Sequence, residues 1–238
     1  MTNSMSDTAV PASRWTEATD PMCLPAGVQA ALLADAPWTR YAVMGDSIAE
    51  GIGDPSPGYT TAPWADRVAG ALRATHPDLA YLNTGRMGAT SGQVVETQLS
   101  TVLEFAPDLV HITCGSNDLW SGRPDLRRTA GNLESLFASA RATGATVTTL
   151  TLADAFVGDD MLALRDGVMA VNDLVRTLAA DYDAVLLDLW EHPLRLRPEL
   201  LSTDRIHFTM TGHAVLATEM VRALRARMSR AVGPLREQ

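Results

Sequence analysis

The sequence predicts an α/β protein, arranged as a three-layer α/β/α sandwich around about five parallel strands. From residue 41 onward, short apolar runs alternate with longer segments that have the apolar period of a helix. The apolar runs are almost continuous, which is typical of strands in a sheet that is covered on both faces. Strands separated by helices form parallel β-α-β units with right-handed crossovers.

The size of the chain fits one domain of this kind. It has 238 residues, of which 46% are apolar and 20% are charged. This length suits one well-buried domain better than two. Residues 1–20 are polar and are expected to form a mobile tail, so the single domain is predicted at residues 21–238.

The first strand and the first long helix are predicted from their end signals. The strand is expected at residues 41–44 and ends at Gly45. The helix is expected at residues 62–74, because Thr61 suits an N-cap and Pro63 falls in the first turn, where proline is tolerated.

The second and third strands flank the next helix. The second strand is predicted at residues 79–82 and the third at residues 108–113. The helix between them is predicted at residues 91–103, and Pro107 marks its end because proline cannot continue a helix.

A long helix is predicted at residues 124–142, since Pro124 can open it and Gly144 can close it. Residues 145–152 are rich in β-branched side chains and predict the fourth strand. Another helix is expected at residues 160–180.

The fifth strand is predicted at residues 184–189, before an irregular stretch that is rich in proline and arginine. Thr211 is expected to cap a final helix that reaches about residue 229. Ligands of such sheets bind beyond the carboxyl ends of the strands, so the residues that follow each strand are the candidates for a functional site.

The charged residues exclude several kinds of chemistry. All 19 basic residues are arginine, and the absence of lysine excludes a lysine Schiff base, a pyridoxal-phosphate anchor and a Walker A phosphate loop. The formal net charge is −9, which argues against nucleic acid or an anionic membrane surface as the main partner.

Cys23 and Cys114 form no metal-binding or redox motif and are expected to be free thiols in a reducing compartment. The N-terminus lacks the apolar segment of a signal peptide, and no run of about eighteen apolar residues could form a membrane span. The sequence therefore predicts a cytoplasmic protein without a membrane span.

A serine follows the first strand, in the run GDSIAEG at residues 45–51. At this point Ser47 could present its hydroxyl above the sheet as a nucleophile, although a serine that caps the next segment is an equally simple interpretation. Ala49 breaks the GxSxG pattern, which disfavours the nucleophile elbow of an α/β-hydrolase.

Glycine and asparagine follow the next two strands, in NTGRMGAT at residues 83–90 and GSND at residues 115–118. A glycine amide and the side chain of Asn117 could donate hydrogen bonds to a developing oxyanion. Either segment taken alone is also explained as an ordinary turn.

Asp204 lies three residues before His207, just before the last helix. The carboxylate could hold Nδ1 of the histidine and leave Nε2 free to act as a base. A local cap is the alternative, and His213 is expected to be structural. Together the four segments supply a nucleophile, a base, an orienting acid and oxyanion donors, which is the complement of an acyl-transfer site.

With these four blocks, the sequence resembles the SGNH hydrolases, also called the GDSL esterase/lipase family, over residues 40–227. It is most similar to compact bacterial members. The four letters of the name match Ser47, Gly88, Asn117 and His207.

Two positions qualify this resemblance. Ile48 stands where many members have leucine or phenylalanine. Gly85 competes with Gly88 for the second block, and the spacing from Asn83 favours Gly88.

The resemblance implies a flavodoxin-like SGNH hydrolase fold and a serine hydrolase mechanism. Ser47 would attack an ester carbonyl, His207 would move the proton, and Asp204 would orient His207. The oxyanion would be held by the amides of Ser47 and Gly88 and by the side chain of Asn117. No metal and no cofactor are implied.

Trp120, Phe208 and Met87 flank these blocks and are candidates for the wall of a substrate pocket. The leading hypothesis is therefore an esterase, lipase or O-deacetylase that acts on a small or medium acyl ester. An acyltransferase or a thioesterase with the same site, and a non-catalytic binding module, are the alternatives. The sequence leaves the oligomeric state open.

Overall fold

Five parallel strands form the central sheet of the structure, a computed structural model that describes residues 14–120, 124–156 and 159–231. The strands are β1 (Arg40–Gly45), β2 (Ala80–Asn83), β3 (Leu109–Thr113), β4 (Thr146–Leu150) and β5 (Val185–Leu187). Their spatial order is β2-β1-β3-β4-β5, the flavodoxin-like order. The predicted three-layer sandwich with five parallel strands is confirmed.

Helices cover both faces of this sheet. The described helices are α1 (Ala26–Leu32), α2 (Ser47–Glu50), α3 (Trp64–Arg73), α4 (Ser91–Thr97), α5 (Leu99–Glu104), α6 (Leu126–Ala142), α7 (Asp159–Asp181) and α8 (Met210–Ala231), with 3₁₀ helices at Ser116–Trp120 and Pro193–Leu196. The sequence analysis did not predict α1, α2 or the two 3₁₀ helices.

The alternation of side chains along β1 divides the core into two halves. Tyr41 and Val43 face one apolar cluster, which includes side chains of α3 and α8, whereas Ala42 and Met44 face a second cluster with α4, α5, α6 and α7. Each fully buried large apolar side chain contributes about 1.5–3 kcal/mol to the free energy of folding. The double-sided burial explains why the strands have no polar face.

Two predicted helix starts are wrong by two residues each. Pro63 occupies the N-cap position and α3 begins at Trp64, so Thr61 does not cap this helix. The helix α6 begins at Leu126, because the side chain of Asp125 accepts the hydrogen bond of a first-turn N–H.

The predicted cap of the last helix is also wrong, because Thr211 is the second residue of α8. Instead, the loop that follows α2 accepts hydrogen bonds from the first N–H groups of α8. Met210 N–H donates to the carbonyl of Asp54 at 2.9 Å, and Thr211 N–H donates to Oγ of Ser56 at 3.1 Å. A distant loop therefore satisfies the first turn of this helix.

The helix predicted at residues 91–103 is divided into α4 and α5 at Gln98. The side chain of Gln98 is buried and forms two hydrogen bonds of 2.8 Å with the backbone N–H and carbonyl of Gly45. The interruption of the helix therefore coincides with a contact that fixes the end of β1.

The predicted mobile tail differs from what the described residues show. Residues 1–13 lie outside the described part of the chain, but the segment at 14–20 packs on the domain. Glu17 accepts a hydrogen bond from Arg67 at 2.5 Å, and the buried carboxylate of Asp20 accepts two from Arg197, at 2.5 and 2.6 Å. Among the described residues, no helix is long and apolar enough to cross a membrane.

Candidate active site

The turn after β1 places Ser47 at the carboxyl edge of the sheet, between β1 and β3. A Cβ at Gly45 would lie 1.9 Å from the carbonyl oxygen of Thr113, so this close approach requires glycine. Asp46 is the N-cap of the short helix α2, and Ser47 is its first residue. The nucleophile candidate is thus held by a strand end and a cap.

The carboxylate of Asp46 joins the turns that follow β1 and β3. It is buried, and it accepts hydrogen bonds from the N–H of Ile48 at 3.0 Å and from Oγ of Ser116 at 3.3 Å. Burial raises the pKa of Asp46 to about 6, although these hydrogen bonds oppose the shift. Asp46 fixes the positions of its neighbours from inside the protein.

Two hydrogen bonds attach the loop after β2 to α2. Met87 N–H donates to Oε2 of Glu50 at 2.5 Å, and Nδ2 of Asn83 donates to the carbonyl of Ala49 at 2.9 Å. A Cβ at Gly85 would lie 2.4 Å from the backbone nitrogen of Glu50. Gly85 therefore permits the close approach of the loop and the helix.

This geometry distinguishes the two glycines of the second block. The N–H of Gly85 donates to Oδ1 of Asn83 at 2.8 Å, whereas the N–H of Gly88 has no hydrogen-bond acceptor among the described residues. Gly88 also has a φ of +76°, a backbone conformation that favours glycine. Gly88 is therefore the better candidate of the two for an oxyanion donor.

Two further N–H donors lie at the same edge of the sheet. The backbone N–H of Ser47 has no acceptor among the described residues, because it is the first residue of α2. Nδ2 of Asn117 donates one hydrogen to the carbonyl of Ala89 at 3.1 Å, which leaves its second hydrogen for another acceptor. The neighbouring Asp118 accepts hydrogen bonds from the N–H and Oγ of Ser91 and ties the two loops together.

Asp204 and His207 form a tight turn before α8. Oδ2 of Asp204 lies 2.5 Å from Nδ1 of His207, and its Oδ1 accepts the N–H groups of Ile206 at 2.9 Å and His207 at 3.0 Å. Arg205 has a φ of +60°, so the turn includes a left-handed residue that is not glycine. Partial burial raises the pKa of Asp204, but the hydrogen bonds from His207 and Ile206 outweigh it and hold that pKa below its ordinary value.

Contacts that are distant in sequence hold this turn in place. Oδ2 of Asp54 accepts hydrogen bonds from the N–H and Oγ1 of Thr203 at 2.8 and 2.9 Å. Ser202 N–H donates to the carbonyl of His207 at 2.7 Å, and its Oγ accepts the N–H of Asp54 at 2.9 Å. Sequence reasoning did not identify Asp54 as a support of the turn.

A pocket of about 330 Å³ opens at this edge of the sheet and brings the predicted blocks together. Asp204 contacts His207 and is not part of the pocket wall. Most of the remaining wall is apolar and includes Leu119 of the 3₁₀ helix and Leu164 and Val168 of α7, which sequence reasoning missed. The predicted site residues in the wall are Ser47, Gly88, Asn117, His207, Met87, Trp120 and Phe208.

Other titratable groups near the site are buried in the core. Burial lowers the pKa of His111 to about 3 and that of His213 to about 4, so both are neutral above these values. Burial also raises the pKa of the Cys114 thiol, as do Asp46 and Asp118, which makes it a poor nucleophile. In the described part of the chain, no cluster of three or more His, Cys, Asp or Glu side chains could hold a metal ion.

Three solved structures share this fold with the chain. An α/β hydrolase, LAE5, from the metagenome of Lake Arreo is 24% identical, with 78% of this chain and 94% of that chain covered and a TM-score of 0.63. The psychrotrophic esterase EstA from Pseudoalteromonas sp. is 17% identical, with 80% and 99% covered and a TM-score of 0.62. The acetylxylan esterase Axe2 from Geobacillus stearothermophilus is 22% identical, with 78% and 94% covered and a TM-score of 0.61.

The family comparison covers most of the chain. No curated protein sequence matches it significantly. Residues 43–215 match the model of the GDSL-like lipase/acylhydrolase family, a range that includes the serine, glycine, asparagine and histidine blocks of the pocket. The chain therefore belongs to the GDSL-like lipase/acylhydrolase family and is a carboxylic ester hydrolase.

Proposed function

We propose that this hydrolase cleaves small or medium acyl esters through an acyl-enzyme on Ser47. The observation that carries the proposal is the shared pocket. Ser47 and His207 line it together with Gly88 and Asn117, whose N–H groups have hydrogens available for another acceptor. A nucleophile, a base and oxyanion donors in one pocket are what acyl transfer requires.

In the first half of the reaction, Oγ of Ser47 attacks the ester carbonyl while Nε2 of His207 takes the hydroxyl proton. The negative charge that develops on the carbonyl oxygen is stabilised by the N–H groups of Ser47 and Gly88 and by Nδ2 of Asn117. The protonated His207 then donates its proton to the leaving alkoxide, and the alcohol departs.

In the second half, water replaces the alcohol. Nε2 of His207 removes a proton from the water molecule as its oxygen attacks the acyl carbon. The proton then passes to Oγ of Ser47 as the carboxylic acid is released. Throughout, Asp204 holds Nδ1 of His207 at 2.5 Å, which fixes the tautomer and stabilises the imidazolium.

The relatives support these roles by analogy. Catalytic mutants of Axe2 replace a serine and a histidine by alanine. EstA has been described in a form inhibited by monoethylphosphonate, the class of reagent that reacts with a nucleophilic serine. By this analogy, we assign the role of the nucleophile to Ser47 and that of the base to His207.

The Ser47→Ala variant tests the proposal. We expect hydrolysis of p-nitrophenyl esters to fall to the background rate, because the nucleophile is lost while the fold remains. The exposed Ser135 on α6 provides a matched control, and Ser135→Ala should retain full activity. Circular dichroism and thermal unfolding would establish that both variants are folded.

Labelling gives an independent result. A p-nitrophenyl alkylphosphonate should modify the wild-type protein once, at Ser47, as measured by peptide mass spectrometry. Turnover near the wild-type rate in Ser47→Ala, or labelling at Cys114, would contradict the proposed nucleophile.

A further inference from the structure

The catalytic edge of the pocket consists of Ser47, Gly88, Asn117 and His207. The rest of the pocket wall is much less polar than this edge. Apart from that edge, the polar residues in the described wall are Ser116 and Arg205. The hydroxyl of Ser116 donates to the buried carboxylate of Asp46. The rest of the described wall is formed by apolar side chains, so it offers few partners for the hydroxyl groups of a sugar.

The floor of the pocket is an apolar cluster that links the 3₁₀ helix at Ser116–Trp120 with α7. Leu119 and Val168 are both less than one-tenth exposed, and Leu152 and Phe156 pack against them. A Cβ at Gly167 would lie 3.0 Å from Cδ2 of Leu119, so the absence of a side chain there lets Leu119 lie close to the helix. The floor is therefore fixed by packing and is not formed by mobile polar groups.

The rim of the pocket exposes large apolar side chains to solvent. Met87 is 63% exposed, Trp120 is 56% exposed and Ile206 is 46% exposed, and all three line the pocket. Large exposed apolar side chains that cluster at one opening indicate that an apolar partner covers them. A hydrocarbon chain attached to the ester would do so.

The volume limits the length of that chain. A space of about 330 Å³ has room for roughly ten groups of the size of a water molecule or methylene, at about 30 Å³ each. Two small residues in the wall, Ala153 and Ala155, keep this space open. A medium alkanoyl chain with its ester group fits this size, whereas an acetyl group leaves most of the apolar wall uncovered.

We propose that this pocket is an acyl subsite for a straight, uncharged alkanoyl chain of about six to eight carbons, so that the substrates are medium-chain acyl esters. This inference rests on the proposed function, since the chain is placed by the attack of Ser47 on its carbonyl. The carbonyl lies against the catalytic edge, and the hydrocarbon extends over Leu119 and Val168.

A series of p-nitrophenyl esters with the same leaving group tests the subsite. From acetate through butanoate and hexanoate to octanoate, kcat/KM should increase, with an upper limit of about fourfold for each added methylene that is buried. It should fall again at hexadecanoate, which exceeds the volume. A maximum at acetate would overturn the proposal while leaving the ester hydrolase function intact.

Variants in the wall provide the second readout. Ala155→Phe fills the space and should lower the octanoate-to-acetate ratio of kcat/KM by at least tenfold. Ala142→Phe, at an exposed position in the last turn of α6, is the matched control and should keep the wild-type ratio. Val168→Thr keeps the shape but adds a hydroxyl, and should lower the ratio severalfold. Unchanged ratios in folded variants would contradict the subsite.

Direct binding separates the two proposals. The Ser47→Ala protein should bind ethyl octanoate more tightly than ethyl acetate, as measured by quenching of tryptophan fluorescence. Preferential binding without any hydrolysis by the wild type would support the subsite and overturn the mechanism. Hydrolysis without a preference in binding or in kcat/KM would overturn the subsite and support the mechanism.

Discussion

Asp46 and Asp204 make the same turn at two ends of the active site but stand in different surroundings. Oδ1 of each accepts the backbone N–H two residues later, from Ile48 at 3.0 Å and from Ile206 at 2.9 Å. The second oxygen of Asp46 accepts the hydroxyl of the half-buried Ser116, whereas that of Asp204 faces the imidazole of His207. The local motif is the same, and the partner of the second oxygen differs.

Under the proposed mechanism, the difference separates a carboxylate that holds the framework from one that supports the chemistry. Asp46 is 2% exposed, and burial raises its pKa to about 6, so the ionised form is disfavoured there. The side chain of Asp204 is 45% exposed, and its hydrogen bonds with His207 and Ile206 keep its pKa below the ordinary value despite partial burial. A carboxylate that stays ionised beside an imidazole can stabilise the imidazolium that forms during catalysis.

The largest effect that distinguishes the two carboxylates is expected from Asp204→Asn. The amide oxygen can still accept the N–H of Ile206, but the amide nitrogen presents a donor to Nδ1 of His207 and favours the wrong tautomer. We expect kcat to fall by up to about ten-thousandfold, measured with p-nitrophenyl hexanoate near neutral pH.

Asp46→Asn is the matched control. Its amide oxygen can still accept the N–H of Ile48, and Asp46 forms no hydrogen bond with an imidazole among the described residues, so kcat should fall far less than in Asp204→Asn. Equal losses in the two folded variants would mean that both carboxylates act on the turn alone. The distinction between framework and chemistry would then be wrong.

A smaller effect is expected from Asn117→Ala, on the same side of the site as Asp46. Loss of one oxyanion donor should lower kcat by about a hundredfold to a thousandfold. KM should change little, because the hydrogen bond strengthens only as charge develops on the carbonyl oxygen. Separate measurement of kcat and KM checks this. An increased KM with unchanged kcat would instead make Asn117 a contact of the bound substrate.

The sequence was sufficient to predict which segments meet at one edge of the sheet. Ser47 and Asn117 follow strands that lie side by side at the switch point between β1 and β3, and the alternation of strands and helices already implied a shared edge. Asp204 and His207 could be paired because three residues separate them, a distance that a single turn spans.

The parts that could not be predicted depend on contacts between distant segments. Nothing local in the sequence indicates that Asp54 holds Thr203, that Gln98 binds the backbone of Gly45, or that Asp20 pairs with Arg197. The same reason explains the wrong cap at Thr211. The pocket floor was missed because helical spacing shows which face of α7 is apolar, but not that part of this face is left uncovered.

The smallest effect concerns stability and pH, where the two carboxylates should differ in sign. Burial raises the pKa of Asp46 from 3.8 to about 6, so the stability that it contributes is present below about pH 4 and is lost as the pH rises through 6. Between these values, Asp46→Asn should gain stability relative to the wild type by up to ~1.4 kcal/mol per pH unit.

The net pKa shift of Asp204 is downward. The stability that Asp204 contributes is therefore present above the ordinary pKa of an aspartate and is lost as the pH falls through the lowered pKa. Asp204→Asn should therefore be less stable than the wild type at neutral pH, and this difference should shrink in acid. Urea unfolding of the three proteins across this range measures both slopes, and differences from the wild type that do not change with pH would contradict the assigned environments of both carboxylates.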